Sequence, residues 1–408
     1  MGTGATRDFT AMWMKRVIAP VTEAIQGQII RRSATAVTAM FARACQQVAA
    51  LALVILAAGV MAPAEYGVYT LSIIFVLLLQ TLTYSGLFQY VVTAKGDEKV
   101  VLDTAFWLMM GIAVVGAIVL VVISPLVSMM FRSPEVGEVL RWLAVAQPFA
   151  AAVAWASAVF MRQERLQTFY TIMIVQNLVA MVAGVALLFL WKSVFALVAY
   201  RYIRAILGTV LYFGYSTVWP GLKAKRDEAV AAMRYASGLY GSRAVTFLSV
   251  YAGDILLGIF LSTAEAGIYR FGVRLATATL NIVIQPMKAF ALARFGAEER
   301  RGEALGPSMQ MFCSTAFVLL GCGAGAIMVF SEPMIASFFR PEYMPAAVVA
   351  SAFAAKALFG AGEMFVEPFL AAKGRTGVAM AFGSVSTGAM ILAVLISAPF
   401  GLQVLAWA

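Results

Sequence analysis

Histidine is absent from this 408-residue chain, cysteine occurs only three times, and charged residues make up 12% of the sequence. The absence of histidine excludes Ser-His and Cys-His nucleophile pairs, imidazole metal ligands and histidine proton relays. Cys45, Cys313 and Cys322 lie in apolar segments without paired or metal-like spacing, so they indicate neither a disulfide nor a metal site. So few charged side chains would leave a soluble core of this size without a polar surface.

Long apolar runs dominate what is present, because 62% of the residues are hydrophobic. A membrane-spanning helix needs about 20 such residues in succession, whereas a membrane β-barrel would show alternation over about ten residues. The sequence therefore predicts an all-α polytopic membrane protein of about twelve transmembrane helices. The predicted spans are residues 35–61, 66–92, 104–130, 137–160, 168–190, 194–218, 234–261, 265–291, 307–330, 345–371 and 376–398, with a twelfth that begins at Gly401 and that we expect to be cut short.

Basic residues are distributed unevenly between the loops on the two sides of the predicted membrane. The side of the N-terminus holds most of them, whereas the other side holds only Arg132, Arg141, Lys192 and Arg340. Because basic loops stay in the cytoplasm, we predict a cytoplasmic N-terminus, and the net charge of +10 then reflects topology and not nucleic-acid binding. Residues 1–33 are basic and lack a signal-peptide pattern, and "MWMKRVIAPV" predicts an amphipathic segment on the membrane surface.

An internal repeat relates the two halves of the sequence. "APAEYGVY" (62–69) matches "STAEAGIY" (262–269) at a shift of 200, and "SPLVSMMFRSPE" (124–135) matches "SEPMIASFFRPE" (331–342) at a shift of 207 to 208. In each copy of the first motif we interpret the glutamate as favouring the start of the next helix, the glycine as easing a tight turn, and the last tyrosine as lying at the membrane interface.

The repeat divides the chain into two lobes. We predict an N-terminal segment over 1–33, a first six-helix lobe over 34–218, a cytoplasmic linker over 219–233 and a second lobe over 234–408. An even number of helices makes the repeats parallel, so an axis along the membrane normal should relate them, with the substrate path between the two bundles.

Eleven charged residues lie within the predicted spans. Eight are basic, Arg43, Arg201, Arg204, Arg243, Arg270, Arg274, Lys288 and Lys356, and three are acidic, Asp254, Glu363 and Glu367. A charge near the bilayer centre costs at least about 2.5 to 3.5 kcal/mol, so the set predicts a water-filled, net-cationic cavity. For residues near the span ends the alternative is a side chain that extends to the interface.

One helix carries several of these groups on a single face. At about 100° per residue, Arg270, Arg274, Asn281, Gln285 and Lys288 fall within about 60° of one another. At the matching positions of the first half, Thr81 and Ser85 supply uncharged polar groups. Because the planar guanidinium holds two oxygens of a phosphate at once, the stripe predicts an anionic cargo.

Arg201 and Arg204 can face the same cavity or pair with Glu363 and Glu367, and the sequence leaves this open. Asp254, Glu363 and Glu367 can neutralise arginines, or they can titrate and couple transport to an ion gradient or gate it.

The stretches "ILAAGVMAPAEYGVYTLS", "TYSGLFQYVV" and "DILLGIFLSTAEAGIYRFGVRLA" resemble the multidrug/oligosaccharidyl-lipid/polysaccharide (MOP) exporter superfamily. The chain looks like its bacterial polysaccharide-transporter branch, the flippases of lipid-linked O-antigen and exopolysaccharide repeat units. The resemblance implies a V-shaped pair of lobes and alternating access, with undecaprenyl-diphosphate-linked oligosaccharide moved from the cytoplasmic to the periplasmic leaflet. It also implies cavity cations at Arg43, Arg243, Arg270 and Arg274 and a functional acid at Asp254.

Three alternatives remain open. The first is a multidrug or organic-cation antiporter of the same superfamily, which would favour a carboxylate-dominated cavity. The second is a membrane enzyme that polymerises lipid-linked glycans, which would need a larger extramembrane loop. The third is a scaffold, which would leave the buried charges unexplained. The expected partners are the polyprenyl-diphosphate-linked glycan, the bilayer of the bacterial inner membrane and polysaccharide polymerase or assembly proteins. No metal or cofactor is expected, and any coupling would use an H⁺ or Na⁺ gradient.

Overall fold

The structure is a computed structural model, and the residues that it describes form mainly helices. The backbone is described for residues 19–373 and 375–407, and the side chains are described from residue 38 onward except at 82, 83, 85, 238, 239, 242, 289, 293, 371, 374, 376, 379, 380, 398 and 408. The α-helices are α1 (Ala19–Val60), α2 (Pro63–Thr93), α3 (Glu98–Met130), α4 (Pro134–Val145), α5 (Gln147–Arg162), α6 (Leu166–Trp191), α7 (Val194–Gly214), α8 (Arg226–Phe260), α9 (Thr263–Arg301), α10 (Gly306–Phe338), α11 (Ala346–Phe359), α12 (Val366–Ala372), α13 (Thr376–Ser397) and α14 (Leu402–Trp407). Short 3-10 turns cover Pro341–Tyr343, Glu363–Phe365 and Ala398–Phe400.

The predicted all-α membrane class is confirmed. Within the described residues, eight helices are long and apolar enough to cross a bilayer, and two bent helix pairs bring the number of candidate spans to ten. The helix α1 runs without a break from Ala19, so residues 19–33 of the predicted N-terminal segment belong to it. The remainder of that segment, residues 1–18, lies outside the described residues.

Two predicted spans are broken. The fourth divides into α4 and α5, which meet at an angle of 43°, and the tenth divides near Gly360 with a bend of 61°. Pro148 has no amide hydrogen, so it cannot continue the backbone hydrogen bonds of α4. The two glycines Gly360 and Gly362 weaken the helix at the second break. Hydropathy alone did not predict either bend, because both segments are apolar throughout.

The repeated Glu-x-Gly-x-Tyr motif brings the two halves into backbone contact at the first turns of α2 and α9. A Cβ atom on Gly67 would lie 1.8 Å from the carbonyl oxygen of Thr263, and one on Gly267 would lie 2.2 Å from the carbonyl oxygen of Pro63. Both glycines lie inside helices. The interpretation of them as turn residues is therefore wrong, because their lack of a side chain serves the close approach of two helices.

The halves also meet at the other end of α2, where it packs against α8. Tyr90 donates a hydrogen bond to the Glu228 carboxylate, and its ring lies 5.7 Å from that of Tyr235. A Cβ on Gly86 would lie 2.7 Å from the Cβ of Ala236. The second half is thus in contact with both ends of α2.

The segment between α7 and α8 is bound to α3. The buried Asp103 carboxylate accepts hydrogen bonds from the backbone amides of Gly221 at 2.8 Å and Lys223 at 3.2 Å. The Trp107 indole donates to the Gly221 carbonyl oxygen at 2.8 Å, and the Thr104 hydroxyl accepts from the Lys225 amide at 3.1 Å. These contacts attach the connection between the halves to the first half up to the residue that precedes α8.

Candidate functional site

A cavity of about 260 Å³, here called the central chamber, lies between the two halves. Residues of α1, α2, α7, α8 and α9 form its wall. Four arginines line it, namely Arg201, Arg204, Arg270 and Arg274. The chamber therefore gathers cations from the sixth predicted span and from the eighth, which belong to different halves of the repeat.

One of the four arginines is neutralised by a buried carboxylate. Arg270 forms an ion pair with Asp254, whose side chain is fully buried, while the Arg270 side chain is 14% exposed. The Arg270 guanidinium also lies over the ring of Tyr251, 4.6 Å from its centroid. The second carboxylate oxygen of Asp254, Oδ1, is buried and has no hydrogen-bond partner among the described residues.

The other three arginines of the chamber have no carboxylate within ion-pair distance in the described part of the chain. Arg201 and Arg204 are adjacent on one face of α7 because they are three residues apart. Nε of Arg201 donates to the Tyr69 hydroxyl at 3.1 Å. Tyr69 thus lines the chamber, so its side chain faces the interior of the fold; its interpretation as a residue of the membrane interface stays a prediction. Three cations without a carboxylate partner around a small, partly apolar space give the chamber a net positive charge.

Two further cavities lie inside the halves. The first-half cavity, of about 280 Å³, is lined by the polar residues Gln80, Tyr84, Gln147, Ser157, Gln176 and Tyr212, and it shares Ile73, Arg201 and Arg204 with the central chamber. The second-half cavity, of about 650 Å³, is lined by Thr277, Asn281, Lys288, Lys356, Glu363 and Glu367 among others. The open question about Arg201 and Arg204 is settled by this arrangement, because Glu363 and Glu367 line a different cavity.

The predicted polar stripe of α9 is divided between two cavities. Arg270 and Arg274 line the central chamber, whereas Asn281 and Lys288 line the second-half cavity. Residues 270 and 288 share a face, but a rise of 1.5 Å per residue separates them by about 27 Å along the axis. The expectation of one continuous cationic cavity is therefore wrong for the side chains of this helix.

Several predicted site residues line none of these three cavities. Arg43 and Gln285 are exposed on their helices, Arg243 is partly buried, and Thr81 is partly buried with an interaction of its own. The side chain of Ser85 lies outside the described residues. The glutamines of the first-half cavity were missed, although uncharged amides in apolar spans are themselves costly and signal a polar neighbourhood.

Residues 55–346 match the sequence profile of a family described as "Polysaccharide biosynthesis protein". The chain belongs to this family. It is 21% identical over 290 residues to the succinoglycan biosynthesis transport protein ExoT of Rhizobium meliloti, an alignment that covers 70% of this chain and 58% of that protein. It is 20% identical over 226 residues to the lipopolysaccharide biosynthesis protein WzxC of Escherichia coli, with coverage of 55% and 45%. The chain thus spans about half the length of these curated relatives.

The fold is similar to that of solved transporters. The structure titled lipid II flippase MurJ, inward closed conformation, superimposes with a TM-score of 0.75 at 11% identity over 91% of this chain and 84% of that one. A MOP superfamily transporter from Pyrococcus furiosus gives 0.60 at 14% identity, over 91% and 88%. The Vibrio cholerae MATE transporter VcmN gives 0.58 at 14% identity, over 95% and 93%. These likenesses, all below 25% identity, concern the fold alone, and they confirm the predicted all-α fold.

Proposed function

We propose that the protein is a flippase that moves undecaprenyl-diphosphate-linked oligosaccharide repeat units across a membrane for surface polysaccharide synthesis. The observation that carries the proposal is the central chamber, where Arg201, Arg204 and Arg274 face a common space without carboxylate partners. Membership of a polysaccharide biosynthesis family and the similarity to a succinoglycan biosynthesis transport protein support a glycan cargo.

The diphosphate is the part of this cargo that the chamber fits. It offers several anionic oxygens, and the planar guanidinium of an arginine binds two such oxygens with parallel hydrogen bonds. The chamber lies among apolar helices, where the effective dielectric constant is lower than in water, so each charge-assisted bond is stronger than in solution. In this mechanism the polyprenyl tail stays in the lipid, and rocking of the halves exposes the head group on the opposite side.

The orientation follows from the basic loops. We place the N-terminus in the cytoplasm of a bacterium and the protein in its inner membrane, because the loops on the side of the N-terminus hold most of the lysines and arginines. Transport then runs from the cytoplasmic to the periplasmic leaflet. Polysaccharide polymerase and assembly proteins are the partners that would take up the product.

Removal of the chamber cations tests the proposed function. In proteoliposomes, the protein should translocate a fluorescent undecaprenyl-diphosphate oligosaccharide, and Arg204→Ala/Arg274→Ala should slow this roughly 100-fold, since each bond to a charged group contributes about 1.5 to 3 kcal/mol. The readout is the fraction of fluorophore that an added, membrane-impermeant quencher reaches over time.

The matched control is Arg300→Ala/Arg301→Ala, which removes two exposed cations from the last turn of α9 and should leave the rate unchanged. Equal rates for the chamber variant and the wild type would refute the role of the arginines. A wild-type protein that moves no glycan lipid under an imposed ion gradient, but exports an organic cation or lengthens the glycan, would establish the antiporter or the enzyme instead.

We also propose Asp254 as the group that couples transport to an ion gradient. Its oxygen Oδ1 is buried without a hydrogen-bond partner among the described residues, so its lone pairs are free to accept a proton or bind a cation, and its other oxygen binds Arg270 in the chamber. Binding of an ion there changes the net charge beside the cargo site. A ligand shifts the equilibrium between two conformations only when its affinity for them differs, so we expect the affinity of Asp254 for the ion to differ between the two states.

Asp254→Asn keeps an oxygen that can accept from Arg270 but removes the charge. We expect this variant to transport at a rate that no longer responds to an imposed proton or sodium gradient, whereas the wild-type rate responds to one of them. Glu363→Gln in the second-half cavity is the matched control and should keep the gradient response. An Asp254→Asn variant with the wild-type response, beside a Glu363→Gln variant without it, would assign coupling to the second-half cavity.

A further inference from the structure

The first-half cavity has a wall whose chemistry differs from that of the chamber beside it. Apart from Arg201 and Arg204, which it shares with the central chamber, its polar groups are amides and hydroxyls. We propose that this cavity binds the neutral sugar ring next to the diphosphate of the glycan lipid. The inference rests on the proposed function and adds a second contact surface to it.

The amides of the cavity are held in place by the protein. Gln80 donates to the side-chain oxygen of Gln147 at 3.0 Å, Tyr84 donates to the Gln147 carbonyl oxygen at 3.1 Å, and Gln147 donates to the Leu143 carbonyl oxygen at 3.0 Å. Gln176 donates to the Arg204 carbonyl oxygen at 2.8 Å. A side-chain amide has two donor hydrogens and an acceptor oxygen with two lone pairs, so these bonds orient the groups and leave further donors and acceptors for a ligand.

Such a wall suits the hydroxyl groups of a sugar. Each sugar hydroxyl both donates and accepts, as amides and tyrosine hydroxyls do, while the rings of Tyr84, Phe169 and Tyr212 supply apolar surface for the C–H bonds of the ring. Apart from Arg201 and Arg204, which hold the diphosphate in the proposed function, the described residues of the cavity wall carry no charged side chain, which favours an uncharged sugar. Its volume of about 280 Å³ is near the lower end of the range of about 300 to 1,000 Å³ for small-molecule sites, so it suits one ring and not a whole repeat unit.

The position of the cavity fits a sugar ring that is attached to a diphosphate in the central chamber. Arg201 and Arg204 line both the central chamber and the first-half cavity. A diphosphate held by these arginines therefore places the carbon to which it is attached at the entrance of the first-half cavity. The sugar ring and the phosphates of one molecule then occupy two spaces that share a wall.

The internal repeat shows that two of the polar groups, Gln80 and Tyr84, are specific to one half. A shift of 200 takes Gln80 to Leu280 and Tyr84 to Ile284, and both of these apolar residues line the second-half cavity. The helix positions therefore tolerate apolar side chains at a cavity wall. Folding alone does not require an amide at residue 80, and buried amides in a membrane protein carry a desolvation cost.

The test compares two probes on the purified protein in lipid nanodiscs. One is undecaprenyl diphosphate without sugar, and the other is undecaprenyl diphosphate with a neutral oligosaccharide. For Gln80→Leu/Gln176→Leu we expect unchanged affinity for the first probe and a loss of about tenfold or more for the second, because the variant removes several hydrogen bonds to the sugar. Ala150→Leu, which fills space in the same cavity without removing a polar group, should show the same difference.

Gln167→Leu is the matched control, because Gln167 is exposed on α6, nine residues before Gln176, and does not line the cavity. It should bind both probes as the wild type does. The inference is overturned if the variants lose no affinity for the glycan probe, or if they lose affinity equally for both probes. Failure of the proposed function is a separate result, in which the wild type binds neither probe or binds the glycan lipid without translocating it.

Discussion

Replacing Gly267 with leucine is expected to abolish transport. A Cβ atom at this position would lie 2.2 Å from the carbonyl oxygen of Pro63 and 2.8 Å from the amide nitrogen of Gly67. Neither atom can move away without displacing the backbone of α2, so the two halves can no longer meet at the first turns of α2 and α9. Alternating access requires a state in which this end is closed, and the variant is therefore confined to states in which it is open.

Two measurements check this expectation. Translocation of the fluorescent glycan lipid in proteoliposomes should fall to the background rate, and spin-label distances between the first turns of α2 and α9 should lose their shortest population. Gly325→Leu is the matched control, since a Cβ atom on Gly325 has no neighbour within 4 Å. Wild-type transport by Gly267→Leu would mean that close contact of these turns is not part of the cycle.

Replacing Asp254 with alanine is expected to lower the free energy of unfolding by about 3 kcal/mol. The substitution leaves the Arg270 guanidinium largely buried without its counter-ion, and removal of one partner of a buried pair typically costs about 3 to 5 kcal/mol. We take the lower end because the Arg270 side chain keeps an exposure of 14%. The double variant Asp254→Ala/Arg270→Ala should recover most of the loss, since no unpaired charge remains.

The measurement is chemical unfolding in detergent micelles for the wild type, the two single variants and the double variant. Glu303→Ala is the control, because Glu303 pairs with Arg301 at 3.7 Å in an exposed position and exposed pairs contribute about 1 kcal/mol or less. A double variant as unstable as Asp254→Ala would show that the carboxylate stabilises the fold through contacts other than Arg270.

The helices were predictable because the bilayer imposes a minimum length on them. Most predicted spans agree with the described helices to within a few residues; the main departures are the bends and extended ends, such as α1, α8 and α9. The bends near Pro148 and Gly360 could not be predicted from hydropathy, which averages over about 20 residues and does not register a local change of direction. Proline and glycine marked both positions, but several other prolines, such as Pro125, lie inside continuous helices.

The site was predictable in part, because helical periodicity gives the angle of a side chain and not its partners. The sequence placed Arg270 and Lys288 on one face, which is correct, but their different cavities depend on which helices pack at each level of α9. The pairing of Arg270 with Asp254 joins two helices, and periodicity within one helix holds no information about it. Gln80 and Gln147 were not predicted because the prediction was based on the charged residues of the spans, although a buried amide also carries a desolvation cost.

The attachment of the connecting segment to α3 limits how the halves can move. Eleven residues separate α7 from α8, which as a free tether would let the two ends part by more than 30 Å. Because Asp103 and Thr104 bind this segment as far as Lys225, the length that can extend is close to a single peptide unit. The beginning of α8 is thereby attached to the first half. In the proposed mechanism we therefore expect opening at this end to be a tilt about that point and not a separation of two bodies.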